Sequence, residues 1–408
     1  MRWRAADSVE WLRGTPINCL ITDAPPGRAG SLGLATVKLG PQGVAEGTLT
    51  EAPWRKEGPV YAIRDVAWPQ VRASKDQATG GPTGLPWIDS AGWMLRMARA
   101  LAPQKSAWVV AQPPKDEPPG RAEDYLLAVA DAAAHGGRWV IDLDDKLRAG
   151  LAAGAPEAVK TWRRIGAAVA LFEAHKEWRS LPPLGVLGVV SDFSSANEFM
   201  ATEALNLLAR RQLGYRVLEK SKVETAGLEG LKAILYVDQE APTAGLRRRL
   251  ASFASQGGLL VLPRVCAPMA DGLPAATEAH PRYEVRSLGK GRIAVARADW
   301  DDPYAVAMDA HLLLSLRHDL VHVYNTSALN AYCAGAADGS RSVVHLLNYT
   351  KRPPSAPVTL AVKQPHRWAR MWTLDGTSAL PLKSTREGNW FELPLPDFTV
   401  YAAIELGA

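Results

Sequence analysis

The sequence predicts an α/β multidomain protein: a reduced or partial (β/α) barrel of the TIM-barrel type, a flavodoxin-like doubly wound domain, and an antiparallel β-sandwich. In residues 15–180, apolar β-prone runs alternate with amphipathic helical runs, which favours a parallel sheet or barrel. Residues 184–297 continue the alternation with unbroken apolar strands. From about residue 320, short strands separated by Pro and Gly indicate a sandwich. We therefore predict domains at 1–182, 183–318 and 319–408.

The first domain contains fewer strands than the eightfold barrel requires. Its predicted strands and helices follow from period-two alternation and from helical spacing of apolar residues, respectively. The strands are 17–23, 34–39, 60–65, 66–71, 107–110 and 139–143; the helices are 90–101, 122–134 and 157–178. The region is either a reduced barrel or a fragment of one.

The other two domains differ in their pattern. In the middle domain we predict strands at 185–192, 215–218, 233–237, 259–263 and 293–296 and helices at 198–211, 244–256 and 305–316. In the last domain we predict strands at 342–347, 358–362, 368–374, 390–393 and 399–405. The change from mixed to purely alternating elements marks the boundary near residue 319.

Net charge and hydropathy argue against two classes of partner, nucleic acids and membranes. The net charge of +5 is small for 408 residues, and the basic run 247–249 has the pattern of a solvated helix face, so nucleic-acid binding is not expected. No apolar run of membrane-spanning length and no apolar leader segment occur, so we expect a cytoplasmic protein without a membrane partner. A leader lost from a longer precursor stays an alternative.

No metal or cofactor is expected. The cysteines Cys19, Cys266 and Cys333 are far apart and have no zinc-site spacing. The loop 193–197 follows a strand and precedes a helix but lacks the glycines that wrap a phosphate, so helix capping is its expected role. The glycines of 27–33 do not have dinucleotide-binding spacing either.

The most suggestive stretch is RWVIDLDD, residues 138–145, a strand that ends in acids. Alternation places Asp142 and Asp144 on one face, and the C-terminal ends of barrel strands carry the chemistry in such enzymes. Together with Asp65, at the end of an earlier strand, they are the candidate catalytic residues. The alternative is that Asp142 pairs with a basic residue and that Asp144 and Asp145 cap the next turn.

Other residues suit substrate binding. Tryptophan rings stack on sugars, and the chain has 14 Trp against 6 Phe, although Trp is also good core material. We assign substrate contacts to Trp87, Asp89, Trp139, Asp23 and Gln112. For Asp89, the alternative is a helix N-cap.

The order of segments resembles the family-42 β-galactosidases and related glycoside hydrolases. The resemblance is carried by GVLGVVSDFSSANE, LKAILYVDQEAP, QGGLLVLP and GKGRIAVAR in the middle domain and by VVHLLNYTKRP and PVTLAV in the sandwich. It implies a retaining glycosidase with two Glu residues, and a middle domain of the trimerisation type, hence a homo-oligomer such as a trimer.

The family's catalytic Glu pair is not found in this chain. The only Asn-Glu pair, Asn197-Glu198, lies in the middle domain, and the strand expected to present the nucleophile ends in Ala111 and Gln112. Two functions remain: a glycosidase that uses carboxylates at the barrel's C-terminal face, or a catalytically degenerate carbohydrate-binding or assembly protein. In both, the partner is a carbohydrate. A nucleotide-dependent enzyme is a weaker third hypothesis.

Overall fold

The computed structural model describes residues 1–4, 7–22, 34–40, 43–44, 60–64, 66–74, 77–78, 86–114, 119–223, 227–276, 278–326, 328–376 and 378–408. Within them the chain is a mixed α/β protein with several sheets. No helix in these ranges is both long and apolar enough to cross a membrane.

The N-terminal part combines short parallel strands with helices. Its strands are β1 (Cys19–Thr22), β2 (Ala35–Gly40), β3 (Gly43–Val44), β4 (Val60–Ile63), β5 (Gln70–Val71), β6 (Ala73–Ser74), β7 (Gln77–Ala78), β8 (Ile88–Asp89), β9 (Ser106–Val109) and β10 (Arg138–Trp139). Its helices are α1 (Gly92–Leu101), α2 (Ala122–Ala134), α3 (Asp145–Ala152) and α4 (Pro156–Ala174).

The parallel strands form one arc. β1 pairs with β2, and β9 pairs with β4 on one side and β10 on the other, all in parallel. The N-terminal residues join these two groups, because Arg2 forms a parallel bridge with Ile21 and donates its N–H to the Ile141 carbonyl at 2.7 Å. At the other end, β3 pairs with β2 and lies beside β4. The ends of the arc therefore approach each other.

Predicted and observed elements differ at the end of the arc. The strand expected over 139–143 is regular only at Arg138–Trp139, although the Val140 N–H still donates to the Val109 carbonyl at 2.9 Å. Beyond Ile141 the chain turns toward α3, whose N-cap is Asp144. The strand expected over 66–71 is ordered as a strand only at Gln70–Val71, which pairs with β8.

The middle part is a doubly wound sheet. Its elements are β11 (Leu187–Ser191), α5 (Glu198–Arg210), β12 (Tyr215–Glu219), β13 (Ala233–Tyr236), α6 (Ala244–Ser255), β14 (Leu259–Leu262), β15 (Tyr283–Leu288), β16 (Gly291–Ala296) and α7 (Pro303–Leu314). The strand order is β12-β11-β13-β14-β16-β15, parallel except for β15. β11, β13 and β14 are buried along their whole length, as strands covered on both faces are, and their residues are apolar except for Ser191 at the end of β11. Helices α5 and α7 cover one face and α6 the other.

The C-terminal part consists of two antiparallel sheets. Its strands are β17 (Val321–Tyr324), β18 (Leu329–Gly335), β19 (Arg341–Asn348), β20 (Thr359–Val362), β21 (Trp368–Thr373), β22 (Leu380–Leu382), β23 (Thr385–Glu387), β24 (Trp390–Pro394) and β25 (Tyr401–Gly407). The sheets have the orders β17-β20-β24-β23 and β18-β19-β25-β21-β22. Apolar side chains from both sheets share one core.

The N-terminal and C-terminal parts share a second core. Val343, Leu347, Tyr349, Tyr401 and Ala403, on or just after β19 and β25, belong to the same buried cluster as residues of α2 and α4. These C-terminal side chains therefore complete the core of the first part of the chain.

Candidate functional site

Asp142 is held by arginines. Its carboxylate is buried, at 2% exposure, and contacts Arg148 Nη2 at 3.1 Å, Arg4 Nη2 at 3.3 Å and Arg2 Nη1 at 3.4 Å. Arg148 also pairs with the buried carboxylate of Asp7. Both Asp142 oxygens are therefore engaged by cations from two distant parts of the chain, which is the arrangement of a structural ion-pair network.

Asp144 caps a helix. Its Oδ1 accepts the Leu147 N–H at 2.9 Å at the start of α3, and its Oδ2 accepts the Tyr125 hydroxyl at 2.7 Å. The Tyr125 oxygen in turn accepts the Asp144 N–H at 2.9 Å. Burial raises the pKa of Tyr125 well above its usual range, so the phenol keeps its proton and donates it. The next acid, Asp145, is exposed and pairs with Arg4 at 2.6 Å.

Trp87 and Asp89 are brought together by Arg72. The Arg72 guanidinium binds Asp89 through two contacts, Nη2–Oδ1 at 2.5 Å and Nε–Oδ2 at 3.3 Å, and lies 5.4 Å from the centre of the Trp87 ring. A cation already covers one face of the half-buried indole. The N-cap of α1 is Ala91, which has no side-chain capping bond, so Asp89 does not cap this helix; Ser90 Oγ, one residue earlier, accepts the Gly92 N–H at 3.0 Å.

Trp139 and Gln112 both contact Trp68. Trp139 is buried in the core, with its ring centre 5.3 Å from that of Trp68, and its indole N–H has no partner among the described residues. The Gln112 side chain is exposed, while its carbonyl accepts the Trp68 indole N–H at 2.8 Å. The two remaining predicted residues, Asp23 and Asp65, lie outside the described residues.

One cavity lies at the opposite edge of the arc from Asp142. Its volume is ≈ 190 Å³, and it is lined by Asn18, immediately before β1, and by Gly137, immediately before β10. Because these strands are parallel, their starts share one edge and their ends the other. Trp139 lines this cavity, whereas Asp142 and Asp144 are not among the described residues that do.

Sequence reasoning missed a buried acid that joins the parts of the chain. Asp131, on α2, is fully buried and accepts hydrogen bonds from Tyr349 Oη at 2.6 Å, Ser90 Oγ at 2.7 Å and the Ala91 N–H at 2.8 Å. Burial raises its pKa, while these donors act in the opposite direction. The signal was present: Asp131 interrupts an otherwise apolar helical run. It ties α2 to the segment before α1 and to the residue that follows β19.

A second cluster has the chemistry of metal ligands. His175, Glu177 and Glu405 place one ligand atom each within 4.8 Å of one another. However, Arg341 forms ion pairs with both glutamates, and Glu405 also accepts the Trp372 indole N–H at 3.0 Å. The guanidinium supplies the positive charge that a metal would bring, so we interpret the cluster as an ion-pair network.

Comparison by sequence finds no matching family model and no matching curated protein. Comparison of structures does find matches. α-L-fucosidase isoenzyme 2 from Paenibacillus thiaminolyticus matches with a TM-score of 0.52 and 12% identity, over 78% of this chain and 62% of that protein. A rhamnosidase from Novosphingobium sp. PP1Y matches with a TM-score of 0.51 and 12% identity, over 86% of this chain and 35% of that protein.

A β-galactosidase from the haloarchaeon Halorubrum lacusprofundi matches more weakly, with a TM-score of 0.46 and 13% identity, over 96% of this chain and 63% of that protein. The chain thus spans less than two thirds of each of these three structures. At such identities the likeness concerns the fold alone, and the fold is glycoside-hydrolase-like.

Proposed function

We propose that this chain is a catalytically degenerate, carbohydrate-binding relative of the glycoside hydrolases. One observation carries the proposal: Asp142 is bound by Arg2, Arg4 and Arg148, and Asp144 is used as a helix cap. A glycosidase needs two carboxyl groups that face one sugar, about 5–5.5 Å apart for retention or about 6.5–9.5 Å for inversion. In this chain the two candidate carboxylates, Asp142 and Asp144, have protein partners instead.

Two further observations, on the Asn-Glu pair of the middle domain and on the end of β9, support the same proposal. The Asn197 amide donates to both Asp192 oxygens, at 3.2 and 3.3 Å, and its Oδ1 accepts the Gln239 N–H at 2.9 Å, so it supports a loop of the middle sheet. Ala111 is buried where a nucleophile would be expected, and Gln112 next to it carries no charge. We propose the layout of the family-42 enzymes, a reduced barrel at 1–182, a flavodoxin-like domain at 183–318 and a sandwich at 319–408.

The sugar site that we propose lies on the loops after the parallel strands, around Trp87 and Gln112. Trp87 offers an indole whose position is fixed by the Arg72–Asp89 pair, and a fixed aromatic ring is what sugar stacking requires. Gln112 adds an exposed amide that can bind hydroxyl groups.

Two measurements test this function. A panel of aryl glycosides should release no chromophore; release that disappears in Asp142→Asn would instead establish a glycosidase.

Oligosaccharide binding, followed by tryptophan fluorescence, should weaken about tenfold in Trp87→Ala, the equivalent of about 1.4 kcal/mol. Trp368→Ala is the matched control, because Arg370 lies 4.1 Å from the centre of that ring as Arg72 lies over Trp87. Equal losses in both variants would contradict the proposed site.

Assembly is the second part of the proposal. If residues 184–297 form a trimerisation-type domain, the chain should be oligomeric at micromolar concentration. Static light scattering measures this directly, and a mass near the 44.0 kDa of one chain would reject it.

A further inference from the structure

A second, larger cavity is strongly basic. Its volume is ≈ 580 Å³, and it lies where α1, the start of β9, β12 and β18 meet. Seven of its lining side chains are cationic: Arg96, Arg99, Lys105, Arg138, Lys176, Arg179 and Arg216. Of the described residues that line it, none is Asp or Glu. Glu173 partly balances this charge from outside the lining, since it pairs with Arg179 at 2.9 Å and Arg138 at 3.7 Å.

The deepest cation, Arg96, is buried without a carboxylate partner in the part of the chain that the structure describes. It is 8% exposed, and its guanidinium carbon lies 4.4 Å from the centre of the Tyr215 ring and 4.3 Å from that of Tyr332. Its Nε has no hydrogen-bond partner there, nor has the buried hydroxyl of Tyr332. Stacking between two rings offsets part of the cost of burying the charge, but the unused donors still require an acceptor.

The exposure of the other cationic side chains increases from Arg96 toward the mouth of the cavity. Arg99 is half-buried and donates to the carbonyls of Arg179 at 2.9 Å and Leu181 at 3.4 Å, which fixes its position without neutralising its charge. Lys105 and Lys176 are exposed at the rim. A cleft that is lined by charges of one sign and bounded by the low-dielectric protein interior concentrates the electric field. It therefore attracts ions of the opposite charge.

We propose that this cavity binds a small molecule carrying tetrahedral oxyanion groups, a phosphate or sulfate ester. Arg96 and Tyr332 supply the buried donors, the half-buried arginines neutralise the anion, and the lysines at the rim draw it in. The volume exceeds what one inorganic anion fills, so it also accommodates an organic part. The inference goes beyond the proposed carbohydrate role and does not depend on it.

Titration calorimetry with pyrophosphate at low ionic strength tests the site. The wild-type chain should bind one pyrophosphate per chain, with an affinity that falls as NaCl is added. Lys105→Glu combined with Lys176→Glu should weaken binding by about tenfold or more, because two attractive rim charges become repulsive. The matched control, Lys290→Glu combined with Lys383→Glu, reverses two exposed lysines that do not line the cavity and should change the affinity less than about twofold.

Arg96→Gln removes the buried charge and should abolish saturable binding, with folding checked by circular dichroism. If Arg96→Gln unfolds the chain, the rim variants decide alone. Titrations with glucose 6-phosphate, glucose 6-sulfate and glucose then identify the class of ligand. Both esters should bind at this site, and the ester with the higher affinity shows whether the ligand is a phosphate or a sulfate ester. Absence of saturable pyrophosphate binding, or equal weakening by the rim and control variants, would overturn the proposal. Glucose binding that survives the rim variants would concern the separate carbohydrate site only.

Discussion

At the scale of single residues, Asp142 shows that a carboxylate at a strand end can be a structural anchor. Substituting it by Asn would leave Arg148, which is nearly buried, with a weaker acceptor and would remove the shared anion of Arg2 and Arg4. We expect Asp142→Asn to cost about 3 kcal/mol of folding free energy. Thermal unfolding measures the loss. Asp145→Asn makes the same change at an acid whose side chain is 90% exposed and should be nearly neutral.

Buried histidines predict an acid-sensitive fold. Burial, with a smaller contribution from Arg99, lowers the pKa of His345 to about 3, and burial also lowers that of His135. An unfolded histidine has a pKa of about 6.5, so the unfolded state binds more protons between pH 6.5 and 3. The stabilisation is therefore complete above about pH 6.5 and is lost as the pH falls toward 3, by about 1.4 kcal/mol per pH unit for each histidine.

Urea unfolding at pH 7.5 and pH 5 checks this dependence. His345→Gln should reduce the loss of stability between these pH values, whereas His366→Gln, at a more exposed site, should leave it as in the wild type. A variant at His345 that keeps the full pH dependence would assign the effect to other groups.

At the scale of elements, α3 depends on its N-cap. Asp144→Ala removes the acceptor of the Leu147 N–H and of the Tyr125 hydroxyl, and we expect a loss of about 1–2 kcal/mol. Asp144→Asn keeps one capping oxygen and should cost much less. Thermal unfolding of the two variants separates them. Equal destabilisation would argue that the negative charge, and not the cap, is what the site needs.

The doubly wound sheet and the segment before α3 show what could and could not be predicted from the sequence. The apolar pattern placed the strands and helices of the doubly wound sheet closely, since β13 and β14 are unbroken apolar runs and β11 departs from one only at Ser191. Pairing of Asp142 with a basic residue was among the predicted alternatives, and Arg148 lies only six residues away, but Arg2 and Arg4 are about 140 residues away in sequence. No local pattern reveals such a partner. The capping role of Asp144 was local, and it was among the predicted alternatives.

At the scale of the whole molecule, the C-terminal sheets complete the core of the N-terminal part. Tyr349 joins them through its hydrogen bond to buried Asp131. Tyr349→Phe should therefore cost about 1–3 kcal/mol, since it leaves a buried carboxylate one donor short. Tyr324→Phe, at an exposed position of β17, is the matched control and should leave the midpoint of thermal unfolding unchanged. An equal midpoint for wild type and Tyr349→Phe would show that the other donors compensate.

The basic cavity has a consequence for how the parts of the chain act together. Its walls come from α1 in the N-terminal part, from β12 in the middle sheet and from Tyr332 on β18. Arg96 lies between Tyr215 and Tyr332, so its position depends on all three. An anion bound there would stabilise the arrangement of the three parts, because it binds the chain only when they are assembled around the cavity. Conversely, any rotation of one part against the others would change the affinity of the cavity for the anion. The fraction of chains with a bound anion would therefore depend on the relative orientation of the three parts.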